Sequence, residues 1–150
     1  MSGKICENSI RAWAKLVRAE SAVLSAVEHE LKAAGYPPLA WYDVLLELKQ
    51  APQQRLRPIE LEPRMLLKQY NLSRLIDRME AEGLVERQKC PTDARGLHLA
   101  LLPAGKELLK KMWPAYEQAI ARHFAGKLAP GEPAQLADLL EKLLAPAADA

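Results

Sequence analysis

Gln69, Tyr70, Asn71, Ser73 and Arg74 bring amide, hydroxyl and guanidinium groups together in one short segment. Gln and Asn can pair two hydrogen bonds with adenine, Arg with guanine, and Ser or Tyr hydroxyls reach bases or phosphates. Lys68 and Arg78 flank the segment as cations suited to phosphate oxygens. Further along, Asp93 and Arg95 stand two apart and Gly96 follows. That spacing lets a carboxylate brace a guanidinium while glycine permits a tight turn. An oriented Arg95 suits the negative potential of a narrow minor groove, with Arg87 and Lys89 placed for contacts to the DNA backbone nearby. Each set also has a plainer reading. The first is an ordinary solvated helix face, and the second a surface ion pair worth under about 1 kcal/mol.

These groups need elements to hold them. From about Ser9 to Ala34, apolar residues such as Ile10, Trp13, Val17, Leu24, Val27 and Leu31 recur at three- and four-residue steps, which predicts a long helix stopped by Gly35. A second helix is expected from Leu39 to Gln50, then a short strand at Arg55-Leu56-Arg57. Pro58 suits the first turn of a third helix reaching about Leu66, but Pro63 falls inside it, so that helix is either short or starts late. Leu72, Leu75, Ile76 and Met79 form the apolar stripe of a fourth helix, with Gln69, Tyr70, Asn71, Arg74 and Arg78 on its other faces and Gly83 at its end. Leu84 to Gln88 and Leu97 to Leu101 read as a hairpin with a long tip. Pro103 opens a long helix to about Gly126, with Pro114 inside it, and a last amphipathic helix follows Pro130. Helix, short strand, helix, helix and hairpin make a winged helix-turn-helix, in which the second helix of the pair enters the major groove. The expected fold class is mainly α with a small β-hairpin wing and flanking helices.

Several pieces carry a resemblance beyond this pattern. Leu39-Ala40-Trp41-Tyr42-Asp43-Val44-Leu45, the run NLSRLIDRMEAEGLVER from Asn71 to Arg87, the wing Asp93-Ala94-Arg95-Gly96, and Leu102-Pro103-Ala104-Gly105-Lys106 occur in the order of one family. From Leu39 to Leu109 the chain resembles the MarR family of bacterial transcriptional regulators. The resemblance implies a homodimer built by helical regions 1–36 and 104–150, presenting two winged domains of residues 37–103 to a pseudo-palindromic operator. It also implies a pocket for a small aromatic or lipophilic effector, to which Trp13, Tyr36, Trp41 and Tyr42 are candidates; aromatics at helical spacing are more often core. Two positions depart from the family's usual pattern. Lys68 stands where the recognition helix commonly has a Ser or Thr cap, and lysine cannot accept a hydrogen bond from the free amides. Pro63 is the other.

Composition narrows the alternatives. The net charge is only +2, but between Arg64 and Lys106 eight Lys/Arg stand against five Asp/Glu, so the middle of the chain is its basic part. No apolar run approaches the roughly 20 residues that span a bilayer, and no signal-peptide pattern opens the chain, so a cytoplasmic location without membrane contact is expected. Cys6 and Cys90 read as unpaired thiols, and His29, His98 and His123 share no ligand spacing with them, so neither metal nor cofactor is expected. An enzyme would need a nucleophile with its base, or a phosphate-cradling glycine loop, and neither pattern is present. A rival of another class is a winged domain that binds protein rather than DNA, since fold does not fix function. Salt separates them, because phosphate contacts weaken steeply as salt rises.

Overall fold

The computed structural model describes residues 3–89 and 96–146; Cys90 and the expected wing-tip residues Asp93 and Arg95 lie outside the described residues. The chain runs α1 (Glu7–Ala33), α2 (Leu39–Gln50), β1 (Arg55–Leu56), α3 (Pro58–Leu61), α4 (Leu72–Ala81), β2 (Val85–Lys89), β3 (Leu97–Leu101), α5 (Pro103–His123) and α6 (Glu132–Leu144). The expected class, mainly α with a small antiparallel sheet, is the one adopted. The sheet has the order β1-β3-β2, so the hairpin pairs Val85 with Leu101 and Lys89 with Leu97 while β1 joins the outer edge of β3 through Arg55 and Leu56.

Helix ends follow the local chemistry. Gly35, at φ +85°, stops α1: its N–H donates to the Lys32 carbonyl and the Tyr36 N–H to the Leu31 carbonyl, which satisfies two orphan acceptors. Gly83, at φ +71°, closes α4 in the same way through Glu80 and Met79. The third helix is the short alternative. It ends at Leu61 and gives way to a 3-10 turn at Glu62–Arg64 whose first positions take Pro63, so the missing N–H falls where no helical bond is due. The long helix after Pro103 ends at His123 rather than near Gly126, and a 3-10 turn at Ala125–Lys127 follows.

Two compact units result, one of residues 1–27 with 117–150 and one of residues 28–116. In the second, α2 buries Val44, Leu45 and Leu48 completely, and these meet a core that includes Leu61, Ile76, Leu99 and Met112. Truncating a leucine of this kind to alanine costs about 2–5 kcal/mol. Helix α5 enters this core closely at Gly105, where an added Cβ would run into the Leu84 carbonyl oxygen and stand 3.0 Å from Leu45 Cδ2. The first unit leaves large apolar side chains exposed: Ile10, Trp13 and Val17 on α1, and Leu139, Leu143 and Leu144 on α6. Among the described residues, no helix is long and apolar enough to cross a membrane.

Candidate nucleic-acid interface

Helix α4 is amphipathic. Ile76 and Met79 are buried and Leu72 and Leu75 half-buried, so Ser73, Arg74, Asp77 and Arg78 are left facing solvent. Its start lies later than the sequence suggested. Gln69, Tyr70 and Asn71, expected on the helix, precede it. Lys68 offers no acceptor for the free amides, and the cap is Asn71, whose Oδ1 accepts the Arg74 N–H at 3.0 Å. The cap uses one lone pair of that oxygen. A paired contact to adenine uses both the oxygen and the nitrogen of an amide; the capped Asn71 keeps its NH2 donors and one lone pair, with the side chain's orientation tied to the cap. Gln69 and Tyr70 lie in the connecting turn, Tyr70 fully exposed and Gln69 donating to the Lys68 carbonyl at 3.2 Å.

Arg87 has a different environment from the other cations. Its guanidinium pairs with Asp77 at 2.7 Å and Glu80 at 2.9 Å, and Nη2 also donates to the Ser73 carbonyl at 3.4 Å. Glu80 in turn accepts the Arg87 backbone N–H at 2.8 Å, and chiefly for that reason its carboxyl is held below the usual carboxylate range. Burial alone would lower the Arg87 pKa, but the two carboxylates outweigh it and raise it. Arg87, expected to reach DNA backbone, is therefore engaged on α4. Lys68, Arg74, Arg78 and Lys89 make no ion pair among the described residues.

Of the aromatic candidates, Tyr42 is buried and stands 6.4 Å from Trp113 and 5.0 Å from Tyr116, ring centre to ring centre, with Tyr116 edge-on. Tyr36 donates its hydroxyl to the Lys111 carbonyl at 3.1 Å, and Trp41 is half-buried. Trp13 belongs to the other unit and is 68% exposed. Burial raises the Tyr42 pKa; for Tyr116 burial leads and the charge of Asp43 adds to it. A cavity of about 520 Å³ opens elsewhere in the unit, beside Pro63, Met65, Lys68 and Tyr70 at the start of α4. Cys6 is an exposed free thiol whose pKa is lowered, first by its 3.1 Å contact with Ser9 Oγ.

Three contributors escaped the sequence reading. Trp113 lies off the apolar stripe that marks α5. Tyr116 lies on that stripe, where an aromatic carries no signal of a site. Asp43 is the buried charged residue of α2, and its Oδ2 accepts the Leu67 N–H at 2.7 Å, fixing the turn that leads to Lys68. The available signal was the helix itself: with Leu39, Ala40, Tyr42, Val44, Leu45 and Leu48 all apolar, α2 has too narrow a polar face to keep position 43 in water.

Comparison with known proteins adds to this geometry. A MarR family model matches residues 34–96. The uncharacterized HTH-type transcriptional regulator YkoM of Bacillus subtilis (strain 168) is 30% identical over 136 residues, 91% of this chain and 86% of YkoM. The transcriptional repressor MprA of Escherichia coli (strain K12) is 28% identical over 83% of this chain and 70% of its own length. Among solved structures, Sco3205, a MarR family transcriptional regulator from Streptomyces coelicolor crystallised in complex with DNA, matches with a TM-score of 0.85 and 24% identity, over 96% of this chain and 90% of that one.

Proposed function

This chain belongs to the MarR family, and from that premise we propose that it is a cytoplasmic transcriptional regulator that binds double-stranded DNA as a homodimer. What carries the proposal is the solvent face of α4. Its apolar stripe is used in the core, which leaves Arg74 and Arg78 exposed and without an ion pair among the described residues, beside Lys68, Gln69 and Tyr70 in the preceding turn. Gln69, Tyr70, Asn71 and Arg74 read bases, and Ser73, Lys68, Arg78 and Lys89 contact phosphates. Arg95, braced by Asp93, reads minor-groove width.

Regions 1–36 and 104–150 form the dimer and 37–103 the DNA-binding domain, so that two winged domains meet a pseudo-palindromic operator. Exposed Trp13, Val17, Leu139 and Leu143 favour this, since a monomer rarely leaves so many large apolar groups in water. The dimer represses by occluding a promoter, as the relative named a repressor suggests, and a small aromatic or lipophilic effector releases it. The cluster of Tyr42, Trp113 and Tyr116 groups aromatic rings of the kind that would suit such a ligand.

The test is selection of bound sequences from a random duplex pool at two salt concentrations, with the Arg95→Ala variant alongside. An inverted repeat enriched by the natural chain and lost in the variant is the expected result. No enrichment, together with retention of DNA that does not respond to salt, would overturn DNA binding and favour a protein partner for the winged domain.

A further inference from the structure

We propose that Arg87 is a positioning residue for operator recognition: it acts by holding the recognition helix α4 against strand β2 and makes no contact with DNA itself. The proposal rests on the DNA-binding reading above. One guanidinium meets Ser73, Asp77 and Glu80, at steps of four and three residues, which places all three on one side of α4 across successive turns. Glu80 completes the grip by accepting both the Arg87 backbone N–H at 2.8 Å and Nη1 at 2.9 Å. A fork of fixed geometry bonded at several points along a helix fixes its rotation, as a single flexible ammonium does not. The rotation of α4 decides where Arg74 and Arg78 point, so small errors here fall on base contacts more than on phosphate contacts, which tolerate lateral displacement.

Phosphate contact and positioning leave different thermodynamic marks. Each cation removed from a phosphate reduces the slope of log affinity against log salt by about 0.9, or close to two in a dimer. A positioning residue leaves that slope alone and lowers the ratio of operator to non-specific affinity. The experiment measures both quantities, by titration at several salt concentrations, for the natural chain, Arg87→Met, Glu80→Gln and the double variant, with thermal unfolding of each. We expect unchanged slopes, a loss of operator preference of about tenfold or more in each single variant, and a double variant no worse than the poorer single, because both remove the same grip. Arg87→Lys, which keeps the charge, should restore the preference only in part. Should Arg87→Met fail to fold, Glu80→Gln decides: an arginine freed from Glu80 to serve DNA would strengthen non-specific binding and keep operator preference. A shallower slope in Arg87→Met, an unchanged preference in both single variants, or multiplicative effects in the double would overturn the proposal. A natural chain that shows no salt-sensitive binding to any duplex would instead overturn the DNA-binding reading, and positioning with it.

Discussion

Asn71 sets the start of α4. Its oxygen caps α4 at the Arg74 N–H, and an Asn cap replaced by alanine typically costs about 1 kcal/mol. Asn71→Ser keeps an acceptor at that position and should melt within a degree or two of the natural chain, whereas Asn71→Ala should melt several degrees lower. If both variants unfold alike in a thermal scan, the cap is not what Asn71 contributes. Glu80 carries a pH signature. Its carboxyl pKa is lowered in the folded chain, first by the Arg87 N–H, so its stabilising effect is complete above the unfolded value near 4.3 and is lost as pH falls through the folded one. Melting temperature should therefore be insensitive to this group from pH 7 to about 5 and fall below that, and Glu80→Gln should flatten part of the acid limb. The sequence showed which residue types were present here, but not their duties. The cap at Asn71 is not legible because types alone do not say which oxygen is already bonded, and the pairing of Arg87 is not because its partners Asp77 and Glu80 lie on another element.

At the scale of elements, legibility followed the strength of local signals. Helix α2 was read to its end residues because prolines bracket it, and α4 to its end at Gly83 because only a residue that accepts positive φ closes a helix that way. The start of α4 was misplaced because an apolar stripe gives a helix its face without giving its first turn. Contacts between elements were the least visible. Nothing local marks Gly105 as the point where α5 meets the Leu84 carbonyl, yet a methyl group there needs backbone to move. Gly105→Ala should destabilise the 28–116 unit by about 1–3 kcal/mol despite alanine's better helix propensity, as measured by denaturant unfolding. A stabilised variant would mean that α5 can slide without cost. Because Leu84 also leads into β2, the same variant should weaken operator binding more than its stability loss alone accounts for.

For the whole molecule, the proposed dimer would make folding and association one problem, because it covers the exposed apolar residues of α1 and α6. A chain that covers Trp13 and Leu143 only by pairing should have a melting temperature that rises with protein concentration. Replacing both residues with glutamate should give a monomer by sedimentation velocity and roughly halve the salt slope of DNA binding, since one winged domain then meets the duplex alone. A double variant that remains dimeric would place the interface on other surfaces. The late start of α4 has a further consequence, for how such a protein changes over evolutionary time. Lys68, Gln69 and Tyr70 lie outside the helix, Lys68 and Tyr70 exposed and Gln69 half-buried, while Arg74 stands on its solvent face. Substitutions at these four positions leave the core and the cap intact. On the proposed assignment of these residues to base reading, a lineage can therefore drift through new operator preferences without crossing an unfolded intermediate, and duplicated copies are free to diverge in what they read while keeping the same scaffold.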